Sequence, residues 1–167
     1  MTPVLHDTHT ISLLVANKPG VLVRVALIFS RRGFNIESLV VSPTMEGKFS
    51  RMTITAKGEP SVLEQIIKQA AKLVDVVHAS EHRDKRSVEK ELALIKISVS
   101  SEKRMEILQI IEHFKAQTVD LTQSSVIIQV TGSTEKLDAC IEMLSRYQIA
   151  EIVRTGKIVM ARGKENT

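Results

Sequence analysis

The chain has 167 residues, 43% hydrophobic and 25% charged, a balance that excludes intrinsic disorder and suits one ordinary domain or two small ones. Aromatics make up 3% with no Trp, so the core must be aliphatic, and a net charge of +4 from 23 basic and 19 acidic residues argues only weakly for an anionic partner. There is no basic segment leading into a long apolar one at the N-terminus, no stretch fit to span a bilayer, and a single cysteine, Cys140, which leads to the expectation of a reduced, soluble, cytoplasmic protein with no membrane partner.

Residues 9–16 (HTISLLVA) alternate, with Ile11, Leu13 and Val15 on one face, and predict a strand. Residues 20–32 carry Val21, Val25, Ile28 and Phe29 at helical spacing, and Gly33 closes the pattern as a C-terminal glycine does. Residues 34–43 and 50–57 predict two strands around a polar turn. A second helix follows in GEPSVLEQIIKQAAKLV, with Pro60 in its first turn, and residues 74–82 supply a fourth strand. The order is βαββαβ.

Residues 83–91 (RDKRSVEKE) are charged with almost no apolar content and predict a solvated linker. The same order then returns. A strand at 92–99 leads to a helix at 101–115 with Ile107, Ile110, Ile111 and Phe114 on one face, and strands at 118–122 and 126–131 follow. A helix marked by Leu137, Ile141 and Leu144 precedes the last strands in IAEIVRTGKIVMAR. Two tandem ferredoxin-like units result, an α+β fold in which each antiparallel sheet carries both helices on one face. Units this small leave the other sheet face and the edge strands uncovered, so association between copies of the chain is expected.

Catalysis finds little support in the residues. Cys140 stands beside Ile141 in a helical pattern and reads as a small buried thiol. The five histidines show no metal-ligand spacing, and His78 and His82 read as exposed residues of an edge strand. NKPGVL lacks the glycines and the Gly-Lys-Ser/Thr ending of a phosphate loop, and no nucleophile elbow occurs. No catalytic or metal-binding residue is assigned. Nucleic-acid binding, the other use of this strand order, relies on stacking aromatics in the central strands. Neither HTISLLVA nor SRMTITAKG has one.

The joint Asn17-Lys18-Pro19-Gly20 is more informative. Pro19 and Gly20 turn the backbone sharply from strand into helix, and the first-turn N–H groups of Gly20, Val21 and Leu22 suit a carboxylate. Asn17 has two readings, an ordinary helix cap or an amide offered to a ligand. Asn35 stands inside a strand, where Asn is disfavoured, and is either an edge or bulge residue or an acceptor for an ammonium group. Together these features would suit an α-amino acid in a small aliphatic pocket.

The run NKPGVLVRVALIFSRRGFNIESLVVSPT, followed by SRMTI and LEQIIKQAAKLVDVV, resembles the N-terminal ACT domain of the small regulatory subunits of acetohydroxyacid synthase, also called acetolactate synthase. ELALIKI and GSTEKLDACIEML are similar to the C-terminal domain of that family, so the resemblance runs from His9 to Gly163. It implies an ACT domain at 9–83, a linker at 84–91 and a C-terminal ferredoxin-like domain at 92–163. It further implies a non-catalytic chain, with no cofactor of its own, that activates a large catalytic subunit carrying thiamine diphosphate, Mg²⁺ and FAD. Feedback inhibition by valine, or by leucine or isoleucine, would arise where the ACT domains of a homodimer meet. One chain would supply Asn17, Lys18, Pro19, Gly20, Val21 and Leu22, with Lys18 and Pro19 as neighbours rather than ligands, and the other Asn35 and Ile36. The competing reading is a stand-alone amino-acid sensor that regulates another enzyme or a nucleic-acid-binding partner.

Overall fold

A computed structural model of the chain describes residues 8–82 and 86–167. The fold divides into two compact units: residues 8–82 and 86–88 with Gly156–Thr167 in one, and Glu89–Thr155 in the other.

The first unit contains β1 (Thr8–Ala16), α1 (Val21–Arg31), β2 (Asn35–Pro43), β3 (Phe49–Lys57), α2 (Pro60–Ala70) and β4 (Val76–His82). Its antiparallel sheet has the order β2-β3-β1-β4, so β2 and β4 are the edges. The period-two pattern of β1 puts Ile11, Leu13 and Val15 into the core beside Met52, Ile54 and Ala56 of β3. Val21, Val25 and Phe29 of α1 and Leu63, Ile66 and Ala70 of α2, spaced three and four apart, close that core from the helix side. In β2 the register slips between Ile36 and Ser38, leaving Glu37 as a bulge.

The second unit repeats this plan with β5 (Ser87–Ser98), α3 (Arg104–His113), β6 (Gln117–Leu121), β7 (Ser125–Gly132), α4 (Thr134–Leu144) and β8 (Gln148–Arg154), and the strand order is β6-β7-β5-β8. Ala93, Ile95, Ile97, Val126, Ile128 and Val130 of the sheet pack with Ile107, Leu137, Cys140 and Leu144 of the helices. A last strand, β9 (Ile158–Ala161), pairs with β5. Two α+β units of the ferredoxin-like βαββαβ type are therefore present, as the hydrophobic periodicity predicts.

Three expectations change. Residues 84 and 85 of the expected linker lie outside the described residues, and Ser87–Ser98 is one strand, so 87–91 are strand rather than linker. Exposed Val88 and Lys90 alternate with partly buried Ser87 and Glu89 and buried Glu91, and this end of the strand has a partner in the Arg162 N–H, which donates to the Arg86 carbonyl. Residues 156–163, assigned to the C-terminal domain, group with the first unit, as do 164–167. As a result the sheet face of that unit turned away from the helices is not bare. Thr10, Ser12, Thr53 and Thr55 lie on it by alternation and are all buried. Arg51 donates to the Thr167 backbone oxygen, and Ala161, Glu165 and Asn166 line a cavity with Ser80 and His82 of β4.

Candidate functional site

The joint between β1 and α1 is pinned from two sides. The Ala16 N–H donates to the Asp75 carbonyl at 2.7 Å, and the Asn17 N–H donates to the Lys48 carbonyl at 2.9 Å. The Asn17 side chain adds a 2.9 Å bond from Nδ2 to the Gly47 carbonyl. Asn17 is therefore a clamp on the β2–β3 turn and not a helix cap, because Gly20 holds the N-cap position of α1 and no side chain bonds to its first turn.

Gly20 takes the N-cap position with φ 81, in the left-handed region, and no side chain caps α1. An N-cap residue is ordinarily extended and brings an oxygen to the first turn. Here glycine's freedom replaces it, and the first intrahelical bond runs from the Arg24 N–H to the Gly20 carbonyl at 3.1 Å. The first turn also lacks an acidic residue. Uncapped donors at the positive end of a helix dipole suit an anion. The Arg24 guanidinium, paired with Asp75, stands beside Gly20. Lys18, Pro19 and Gly20 are exposed, Leu22 is half exposed, and the Val21 side chain is in the core, so only its backbone is available to a ligand.

Asn35 opens β2 and is exposed, and its Nδ2 donates to Glu37 Oε1 at 3.0 Å. That bond, then the Lys57 ammonium at 3.4 Å from Glu37 Oε2, holds the Glu37 carboxyl below its ordinary range. With its donor engaged, the Asn35 Oδ1 acceptor takes no bond among the described residues. Ile36 is half-buried and packs at the margin of the core.

The two asparagines do not meet within one chain. Asn17 follows Ala16, which faces Phe49, whereas Asn35 faces Lys57 at the other end of β3. Eight residues of strand separate those ends, about 27 Å.

Other reactive groups are spoken for. Burial pushes the Cys140 thiol up, which makes it unreactive. The His82 ring nitrogen Nε2 lies 2.8 Å from Ser12 Oγ, a nucleophile–base spacing absent from any sequence motif. Ser12 is 1% exposed, so no substrate carbonyl can reach it. His82 is thus a partner in a polar layer rather than an exposed edge residue, while His78 is exposed. In the second unit, Glu91 is buried and accepts from Arg154 at 2.7 and 2.9 Å, and Arg154 also reaches Asp138 at 2.6 Å. Among the described residues no cluster of His, Cys, Asp and Glu could hold a metal ion, and no helix is long and apolar enough to cross a membrane.

Comparison with known proteins fits both units. A family model described as the AHAS small subunit-like ACT domain matches residues 11–78, and one described as the small subunit of acetolactate synthase matches residues 90–163. A probable acetolactate synthase small subunit from Archaeoglobus fulgidus is 49% identical over 94% of this chain and 98% of its own length. An acetolactate synthase small subunit from Mycolicibacterium smegmatis is 46% identical over 93% of this chain and 92% of its own length. The crystal structure of the acetolactate synthase small subunit from Thermotoga maritima superposes with a TM-score of 0.85 at 41% identity, covering 95% of this chain and 99% of that one. With an ACT-type first unit, a matching second unit and near full-length identity to several such subunits, the chain belongs to the acetolactate synthase small subunit family.

Proposed function

We propose that the chain is the regulatory, non-catalytic subunit of an acetolactate synthase. It binds and activates a large catalytic subunit, which carries thiamine diphosphate, Mg²⁺ and FAD and performs the condensation of pyruvate in the cytoplasm. Valine, the end product, or leucine or isoleucine, binds the small subunit and inhibits the holoenzyme. The N-terminal unit holds the effector and forms the homodimer, and the C-terminal unit, Glu89–Thr155, completes the subunit.

One observation carries the placement of the site: the positions of Asn17 and Asn35 at opposite ends of one sheet, with β2 as an open edge. Antiparallel pairing of β2 with β2 of a second copy sets Asn35 of one chain opposite Pro43 of the other. Pro43 faces Ser50, and Ser50 faces Val15, so Pro43 lies at the Asn17 end of the sheet. A two-fold axis through the middle of β2 thus brings the loop 17–22 of one chain to Asn35 and Ile36 of its partner, twice. Leu22, Val23 and Leu27 on α1 and Val41 on β2 are exposed apolar residues that such pairing would cover. In this site the uncapped first turn of α1 takes the effector carboxylate, Asn35 Oδ1 takes the ammonium, and Ile36 borders the aliphatic side chain. Valine binding then favours one arrangement of the dimer, with coupling to the catalytic subunit of roughly 1–3 kcal/mol.

Reconstitution with the catalytic subunit, assayed with and without valine, tests the reading. The small subunit alone should show no turnover, and the mixture a raised rate that valine lowers. Gly20→Asp puts a carboxylate where the effector's belongs and should abolish valine binding in calorimetry. Asn35→His should weaken it with the fold intact. Unchanged valine affinity in both variants would refute the site, and purification from cells without a thiamine-dependent synthase would favour a sensor acting elsewhere.

A further inference from the structure

Thr155 and Gly156 join the two units. Thr155 is clamped to β5: its N–H donates to the Leu92 carbonyl at 3.0 Å, and its Oγ1 accepts from the Leu92 N–H at 3.1 Å. Gly156, with φ +80, then turns the chain onto the N-terminal sheet, where a Cβ built on it would overlap the Ser38 side chain. Only glycine combines that conformation with that approach. Ser38 follows the Glu37 bulge directly, and Glu37 accepts from Asn35. Ser38, which Gly156 approaches, thus lies two residues beyond Ile36 on β2.

The face of this sheet turned away from the helices is unusual for a buried one. Thr10, Ser12, Thr53 and Thr55 are polar, and Thr55 Oγ1, whose residue faces Ser38, has no hydrogen-bond partner among the described residues. Buried polar groups are normally paired. A buried hydroxyl without a partner costs free energy that an aliphatic group in its place would not. The strap is nevertheless fixed farther on, where Arg51 reaches the Thr167 backbone oxygen and the Ala161 N–H donates to Thr167 Oγ1 at 2.8 Å.

We propose that residues 156–167 are a strap through which effector occupancy at β2 reaches the C-terminal unit, the Ser38–Gly156 contact being the point of transmission. The proposal rests on the effector reading of Asn35 and Ile36. A ligand drawing on Asn35 shifts the bulge, Ser38 moves with it, and the backbone of Gly156, in van der Waals contact and without a side chain to yield, must follow. Thr155 passes that movement to β5, to which it is bonded at Leu92 through its backbone N–H and its Oγ1.

The full chain reconstituted with its catalytic subunit tests this with Ser38→Gly, which removes the contact without adding bulk. The rate without valine should stay as in the unmodified protein and valine should still bind in calorimetry, while the valine concentration needed for half-inhibition rises by about fivefold or more. Unchanged inhibition overturns the proposal, and so does a loss of valine affinity equal to the loss of inhibition, which would make Ser38 part of the site. If the unmodified chain fails to bind valine, the effector reading falls by itself. The strap is then decided by amide hydrogen exchange in Gly156→Val, where residues 35–40 should exchange about tenfold faster than in the unmodified chain. Unchanged exchange there overturns the contact as a mechanical link.

Discussion

The two units share a plan down to its irregularities and differ at the first strand-to-helix joint and at the outer edge strand. Both sheets have the same strand order, and both edge hairpins bulge at the same place, at Glu37 in β2 and Val119 in β6. Their first strands also slip in register against the fourth at matching positions, after Leu14 and after Lys96. Their strand-to-helix joints are unlike. In the first, Gly20 is left-handed and α1 begins without a cap or an acid. In the second, Lys103 holds the N-cap in a right-handed conformation and Glu106 sits in the first turn of α3, complementing the dipole from within. The edges differ too: β2 is nine residues long and partly buried, whereas β6 has five residues, all exposed. A common fold thus sets the frame, and the first unit alone leaves a helix end and a long edge strand unprovided for.

The largest effect expected from breaking this comparison lies in the Arg154–Glu91 pair of the second unit. Arg154→Ala leaves the Glu91 carboxylate buried and short of its partner, at a cost of roughly 3 kcal/mol in chemical denaturation. Arg24→Ala in the first unit, where Arg24 is 49% exposed, should cost under about 1 kcal/mol. Equal losses would erase the distinction between an anchored and a surface pair.

A middle-sized effect separates the two joints. Gly20→Ala forces a side chain into the left-handed region and should cost about 1 kcal/mol in stability. Lys103→Ala at the matching position of α3 should stay within about 0.5 kcal/mol, because its backbone is already right-handed.

The smallest effect is one of pH. The folded state depresses the Glu37 carboxyl, so its bonds to Asn35 and Lys57 hold above the ordinary carboxylate range. They are lost as pH falls through the depressed folded-state value. Asn35→Ala should return the Glu37 titration, followed by NMR, upward towards the ordinary range. A midpoint unmoved by the substitution would show that Lys57 alone sets it.

Hydrophobic spacing by itself determined the order of elements, the internal repeat and nearly all of the core. Val21, Val25 and Phe29, or Leu63, Ile66 and Ala70, have only one way to share a helix face, and that rule is local. The family was also legible in the residues themselves, in NKPGVL and RRGFNIESL. Only the tertiary structure decided what the joint does. Asn17 spends its amide on Gly47, a partner 30 residues away, so a cap and a clamp look alike in one dimension. It likewise decided that Ser87–Ser98 is one strand despite its charge, because pairing with β9 supplies what composition withholds. The bond from Arg51 to Thr167 and the fit of Gly156 to Ser38 arise between residues more than a hundred positions apart. No periodicity reports such pairs, since they follow from where folded elements come to rest rather than from the preferences of either segment.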